Sequence, residues 1–159
     1  MSVVDEVTAA NERYVSKFGK GGLPMPPARK LAVVTCMDAR LDPAGFLGLD
    51  LGDAHVIRNA GGLVNDETIR SLVISHHLLG TEEAVVVGHT DCGMLTFTNA
   101  ELHEKLGPES EGIDFEPFPD VAERVLQSVD AIRSHPLLPD SFGATGFVYD
   151  VATGRIEPV

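Results

Sequence analysis

Two unbroken apolar runs organise this chain. Leu31-Ala-Val-Val-Thr-Cys36 and Ala84-Val-Val-Val-Gly-His89 are short, rich in β-branched residues and bounded by turn formers. That is the pattern of strands buried on both faces of a parallel sheet. Between them the period changes. Ile69, Leu72, Val73, His76 and Leu79 recur at helical spacing, Asn65 supplies an N-cap, Asp66 and Glu67 place acids in the first turn, and Gly80 is a stop. Pro43–Leu47 predicts a short helix and His55-Val-Ile-Arg58 a second strand. This strand–helix–strand rhythm predicts an α/β fold with a largely parallel sheet flanked by helices.

Outside that body, Val4, Val7, Tyr14, Val15 and Phe18 lie near one face of a helix over residues 3–18. Gly19-Lys-Gly-Gly-Leu-Pro-Met-Pro-Pro27 follows, too rich in breakers to continue it. We divide the chain accordingly into a helical arm with its connector, residues 1–27, and a single α/β domain, residues 28–159. The arm either packs on its own domain or reaches a second subunit. Toward the other end, residues 95–106 carry short helical segments and residues 107–119 form a loop. Pro119 suits a first helical position for a helix carrying Val121, Val125, Val129 and Ile132. Residues 146–151 and Arg155-Ile-Glu157 read as a hairpin that adds an antiparallel edge strand.

Composition narrows the function. The formal charge is −12, from 24 acidic and 12 basic residues, which repels nucleic acid and anionic lipid and leaves a small neutral substrate unaffected. No apolar run approaches the ~18 residues of a membrane span, and the opening Met1-Ser-Val-Val-Asp-Glu-Val7 lacks the basic start and apolar centre of a secretory signal. A cytoplasmic location is the expectation.

Both cysteines of the chain fall where strands run out: Cys36 ends the first run, and Cys92 follows His89 by three residues. In open α/β sheets the ligand crevice lies beyond the carboxyl ends of the strands. Two thiolates and an imidazole delivered there form a zinc set with a fourth position open. A disulfide or two inert core thiols are the other readings. Asp38 and Arg40 follow Cys36 in Cys36-Met-Asp-Ala-Arg40. Beside zinc, Asp38 either orients a bound water, with Arg40 holding it ionised, or itself becomes the fourth ligand and closes the site. Arg58-Asn-Ala-Gly-Gly62 ends at the same crevice; Gly61 and Gly62 suit close backbone approach to a small ligand or positive φ. His55, His76, His77, His103 and His135 show no ligand spacing.

Taken in order, Cys36-Met-Asp-Ala-Arg40, Arg58-Asn-Ala-Gly-Gly62 and Gly88-His-Thr-Asp-Cys-Gly93 resemble the β-class carbonic anhydrases. The resemblance spans essentially the whole chain. It implies one zinc on Cys36, His89 and Cys92, and Asp38 and Arg40 as the catalytic dyad. It also implies a mainly parallel four-stranded sheet with an antiparallel edge strand, and a homodimer or dimer of dimers whose N-terminal helices embrace the partner. The reaction implied is reversible hydration of CO₂ to bicarbonate and a proton. Gly61-Gly62 in place of Ala-Asn, the short chain and Cys92-Gly-Met-Leu-Thr-Phe97 look like the subgroup that includes carbonyl sulfide hydrolases, so COS is a second candidate substrate. A non-catalytic zinc-stabilised regulator with Asp38 on the metal is a third reading. A Gln common before the Gly-acid-Ala step is absent here, where Asp50-Leu51 precedes Gly52-Asp53-Ala54. The absence of Trp removes one known form of regulatory bicarbonate site.

Overall fold

β-branched side chains favour extended backbone, and β1, Leu31–Cys36, is buried at every residue after its first. The computed structural model describes residues 2–159. Its other strands are β2 (Ala54–Asn59), β3 (Glu83–His89), β4 (Gly143–Tyr149) and β5 (Ile156–Pro158). They form one sheet in the order β2-β1-β3-β4-β5. The first four run parallel and β5 pairs antiparallel with β4, as the sequence predicts. Among the described residues five α-helices accompany the sheet: α1 (Val3–Val15), α2 (Pro43–Leu47), α3 (Asp66–Leu79), α4 (Asn99–Leu106) and α5 (Val121–Arg133).

Alternate strand residues Ala32, Val34, Ala84, Val86 and Ala144 share one buried cluster with Leu72 of α3 and Val125, Val129 and Ile132 of α5. Burying a side chain such as Leu72 or Ile132, both 0% exposed, contributes about 1.5–3 kcal/mol by transfer arguments. Glycine sets how closely α5 approaches. A Cβ on Gly146 of β4 would stand 2.6 Å from Val125 Cγ1, and one on Gly88 of β3 would stand 2.7 Å from Val125 Cγ2.

The predicted caps of α3 hold: Asn65 accepts from the Thr68 amide, and Gly80 closes the helix in the left-handed region at φ 74°. Three boundaries differ from expectation. α5 starts at Val121 rather than Pro119, because the extended Asp120 caps it by accepting from the Glu123 amide at 2.8 Å. β4 begins at Gly143 and stops at Tyr149, where the Asp150 carboxylate takes the Ala152 amide at 2.7 Å and turns the chain. α1 stops at Val15, and Lys17 and Phe18 close tighter turns onto Tyr14 and Val15.

No residue of α1 is buried. Its start is held locally, by a capping box between Ser2 and Asp5. Val4 at 73% and Val7 at 63% exposed show an apolar stripe that no described residue of this chain covers. Ala28 and Arg29 then bond to the Gly52 and Asp53 carbonyls, each at 2.9 Å, tying the chain to the domain.

Candidate metal centre

β1 and β3 are neighbours in parallel register, Thr35 opposite Val87, so their carboxyl ends open on one side. The Thr35 hydroxyl, fully buried, donates to the Val87 carbonyl at 2.8 Å and locks the two strands just below the site. Cys36 and His89 are the terminal residues of these strands. Cys92 returns after a turn in which Asp91 takes φ 53°, a conformation that Asp tolerates better than most residues. The ligand atoms of Cys36, His89 and Cys92 all lie within 4.8 Å of one another, and all three residues are buried.

The turn after β2 completes the floor. Asn59 binds both sides of the Leu63 peptide, accepting from its amide at 2.7 Å and donating to its carbonyl at 2.9 Å. Gly61 and Gly62 both have positive φ, 83° and 65°. A Cβ on Gly62 would stand 2.8 Å from the Cys36 nitrogen, and one on Gly61 would stand 3.0 Å from Phe118 and 3.1 Å from Met94. Gly62 therefore meets the backbone of β1 beside Cys36, and Gly61 lets Phe118 and Met94 pack directly onto the turn. Beside the cluster lies a cavity of about 330 Å³, mostly apolar, lined by Cys36, Met37, Asp38, Ala60, Gly61, Cys92, Gly93, Met94 and Phe97.

The donors fit zinc. The His89 Nδ1 donates to the Thr90 carbonyl at 2.8 Å, which leaves the lone pair on Nε2. Nε2 is buried with no hydrogen-bond partner, a property it shares among the described residues with Arg124 Nε alone. An orphaned imidazole nitrogen facing two thiols carries a desolvation cost that a metal would repay. As a proton-binding cluster the trio is strongly coupled. A hydrogen bond from Cys92 holds the Cys36 thiol low, while the same contact and burial push Cys92 up. Burial pulls His89 down, but the nearby Cys36 sulfur and the Thr90 carbonyl outweigh it and raise the imidazole overall. A zinc ion competes with those protons for the same lone pairs, so its binding releases them.

Asp38 lies outside the cluster, its Oδ2 3.8 Å from His89 Nε2. Both its oxygens accept from Arg40: Nε to Oδ1 at 3.0 Å, Nη2 to Oδ2 at 2.7 Å, with the Arg40 amide adding 2.9 Å to Oδ1. These hydrogen bonds hold the Asp38 carboxyl well below the usual carboxylate range and raise the guanidinium in turn.

Two residues at the site take roles that the sequence reading did not assign. Arg58 pairs with no carboxylate; its Nε and Nη2 donate to the Cys36 and Asp38 carbonyls at 2.9 and 2.7 Å. Asp91 accepts from Arg40 Nη1 at 2.8 Å through Oδ2, and its carbonyl accepts from Nη2 at 2.9 Å. Its place between His89 and Cys92 is the one sequence signal that could have drawn attention to it. His55, His76, His77 and His103 bond instead to Ser75, the Thr81 carbonyl, the Leu137 carbonyl and Ser110, and none joins the cluster.

The carbonic anhydrase family model matches residues 31–114, from the start of β1 through both ligand motifs. Over 163 aligned positions the chain is 48% identical to beta-carbonic anhydrase 1 of Mycobacterium tuberculosis, covering 100% of this chain and 99% of the relative. The crystal structure of carbonic anhydrase from Streptococcus mutans superposes with a TM-score of 0.94 at 48% identity, covering 100% of this chain and 98% of that one. Carbon disulfide hydrolase of Acidianus sp. is 35% identical, covering 97% of this chain and 87% of that relative. With the family's own stretch carrying both strand ends, and full-length likeness on either side of it, this chain belongs to the β-class carbonic anhydrases.

Proposed function

We propose that this chain catalyses the reversible hydration of CO₂ to bicarbonate and a proton, with zinc on Cys36, His89 and Cys92 and with Asp38 and Arg40 as the catalytic dyad. The observation that carries the reading is His89 Nε2, buried without a partner and gathered with two thiols. Zinc held there would supply Lewis acidity, making a water more nucleophilic than bulk water.

The chain's own residues then decide geometry. The Asp38 carboxylate accepts a hydrogen bond from the reacting water, which directs the water's remaining lone pair toward carbon. Arg40 keeps Asp38 ionised through the neutral range, so Asp38 orients the water and does not retain the product proton, which passes to solvent. Met37, Ala60, Gly61, Met94 and Phe97 line the cavity. A linear, neutral molecule gives up few hydrogen bonds to enter it, whereas bicarbonate gives up several, which favours product release. Stopped-flow CO₂ hydration on zinc-replete protein tests the reading. Fast, zinc-dependent turnover is expected, and a protein with one zinc per chain but no hydration would overturn it. Full zinc content in Cys92→Ala would overturn the ligand set.

The likeness to a carbon disulfide hydrolase favours a second reading, hydrolysis of COS at the same site. The cavity of about 330 Å³ beside the cluster has room for a sulfur atom but does not exclude the smaller CO₂. We expect kcat/KM for CO₂ to exceed that for COS, with measurable sulfide release. A regulator with Asp38 on the metal would need that carboxylate free, whereas both its oxygens are engaged by Arg40.

We also propose that the functional unit is a homodimer, or a dimer of dimers, with residues 1–27 as an arm lying on the partner. The uncovered stripe of Val4, Val7, Tyr14 and Val15 supports this. No described helix is long and apolar enough to cross a membrane. Two thiols that must stay reduced suit the cytoplasm, and fractionation of cells expressing the protein tests that placement.

A further inference from the structure

Asp38 and Arg40 are only two residues apart on an exposed loop, and an ion pair of that kind is worth roughly 0–1 kcal/mol by itself. Arg40 is 48% exposed on a long flexible stem. Yet the proposed reaction needs the Asp38 carboxylate fixed relative to the metal ligands. Something else must hold the guanidinium.

Asp91 does so. The planar guanidinium presents two edges. Asp38 takes the Nε/Nη2 edge at 3.0 and 2.7 Å. Asp91 takes the other, with Oδ2 on Nη1 at 2.8 Å and its carbonyl on Nη2 at 2.9 Å. Asp91 lies between His89 and Cys92 in the chain, and its φ of 53° is the left-handed turn of that loop. We infer that Asp91 is a positioning residue, which clamps Arg40 to the metal-ligand loop and thereby references Asp38 to the ligands. The inference rests on the function proposed above. Its geometry joins β1's loop to β3's loop through one side chain, so a shift in either moves the carboxylate that aims the water.

Asp91→Asn and Asp91→Gly separate this role from a structural one, because both residues accept the left-handed backbone, but only Asn offers an acceptor to Nη1. Zinc content, thermal midpoint, kcat and KM for CO₂ are measured on the zinc-replete enzyme. The exchange of the Arg40 Nε–H, assigned by its loss in Arg40→Lys, is followed by NMR. We expect Asp91→Gly to lower kcat about tenfold, the effect of one charge-assisted hydrogen bond. KM, zinc and midpoint should stay unchanged, and the Nε–H should exchange faster. Asp91→Asn should recover most of the loss in both readouts. Wild-type kcat and slow Nε–H exchange in Asp91→Gly would overturn the inference, as would equal losses in both variants accompanied by loss of zinc. A wild type without CO₂ hydration would sink the proposed reaction instead, and the Nε–H exchange would still decide whether Asp91 holds Arg40.

Discussion

At the scale of single residues, Asp38 separates ionisation from ligation. Asp38→Asn keeps the shape and one acceptor but loses the charge that Arg40 grips. Turnover should fall at least about 100-fold with one zinc per chain retained, by stopped-flow and elemental analysis; loss of zinc would show that Asp38 ligates. The folded Asp38 pKa is depressed by Arg40. Its contribution to stability is therefore present above the unfolded carboxyl pKa of about 3.9 and is lost as pH falls through the still lower folded value. Its charge is constant from mildly acidic to alkaline pH. Activity should nonetheless rise toward alkaline pH, because two thiolates offset the zinc charge and water ionises there reluctantly. A wild-type profile falling from neutral to mildly alkaline pH would contradict this. Gly62 is the other sensitive residue. With φ 65° and a Cβ position 2.8 Å from the Cys36 nitrogen, Gly62→Ala should cost about 1–3 kcal/mol of stability in a denaturant titration, and weaken zinc binding with it.

At the scale of elements, α5 against β3 and β4 depends on what the strands leave out. Gly146→Ala should destabilise by about 1–3 kcal/mol, since the new methyl overlaps Val125. Adding Val125→Ala makes room, so the double variant should lose less than the sum of the two single losses; strict additivity would place the overlap elsewhere. The same small residues explain what could be read from sequence. β1 and β3 are continuous β-branched runs and were legible, as were the Asn65 and Gly80 caps and the meeting of Cys36, His89 and Cys92 at the strand ends. Gly143-Ala-Thr-Gly146 carries almost no apolar signal, because its smallness serves the approaching helix, so the first half of β4 was missed. Pro119 misled because a stronger cap, Asp120, stands just after it. The partners of Arg58 are carbonyls, and the contact of Asp91 depends on one left-handed residue. Neither leaves a mark in spacing.

At the scale of the whole molecule, the arm is the part that a single chain cannot account for. A 13-residue helix is marginal alone in water, and this one buries nothing in its own domain. If the proposed homodimer is right, deleting residues 1–22 should leave monomeric, aggregation-prone protein, read by light scattering on a sizing column. A well-folded, fully active monomer would exclude the embrace. Thr35 and Val87, which lock the strands beneath the ligands, are 52 residues apart. A chain emerging from the ribosome holds Cys36 long before His89 and Cys92 exist, and closing so long a loop has an entropic cost. Unlike a zinc finger, whose closely spaced ligands let metal drive folding, this protein must complete the β1–β3 pairing first. Metal capture should therefore follow that pairing, and zinc occupancy would report that β1 and β3 have joined.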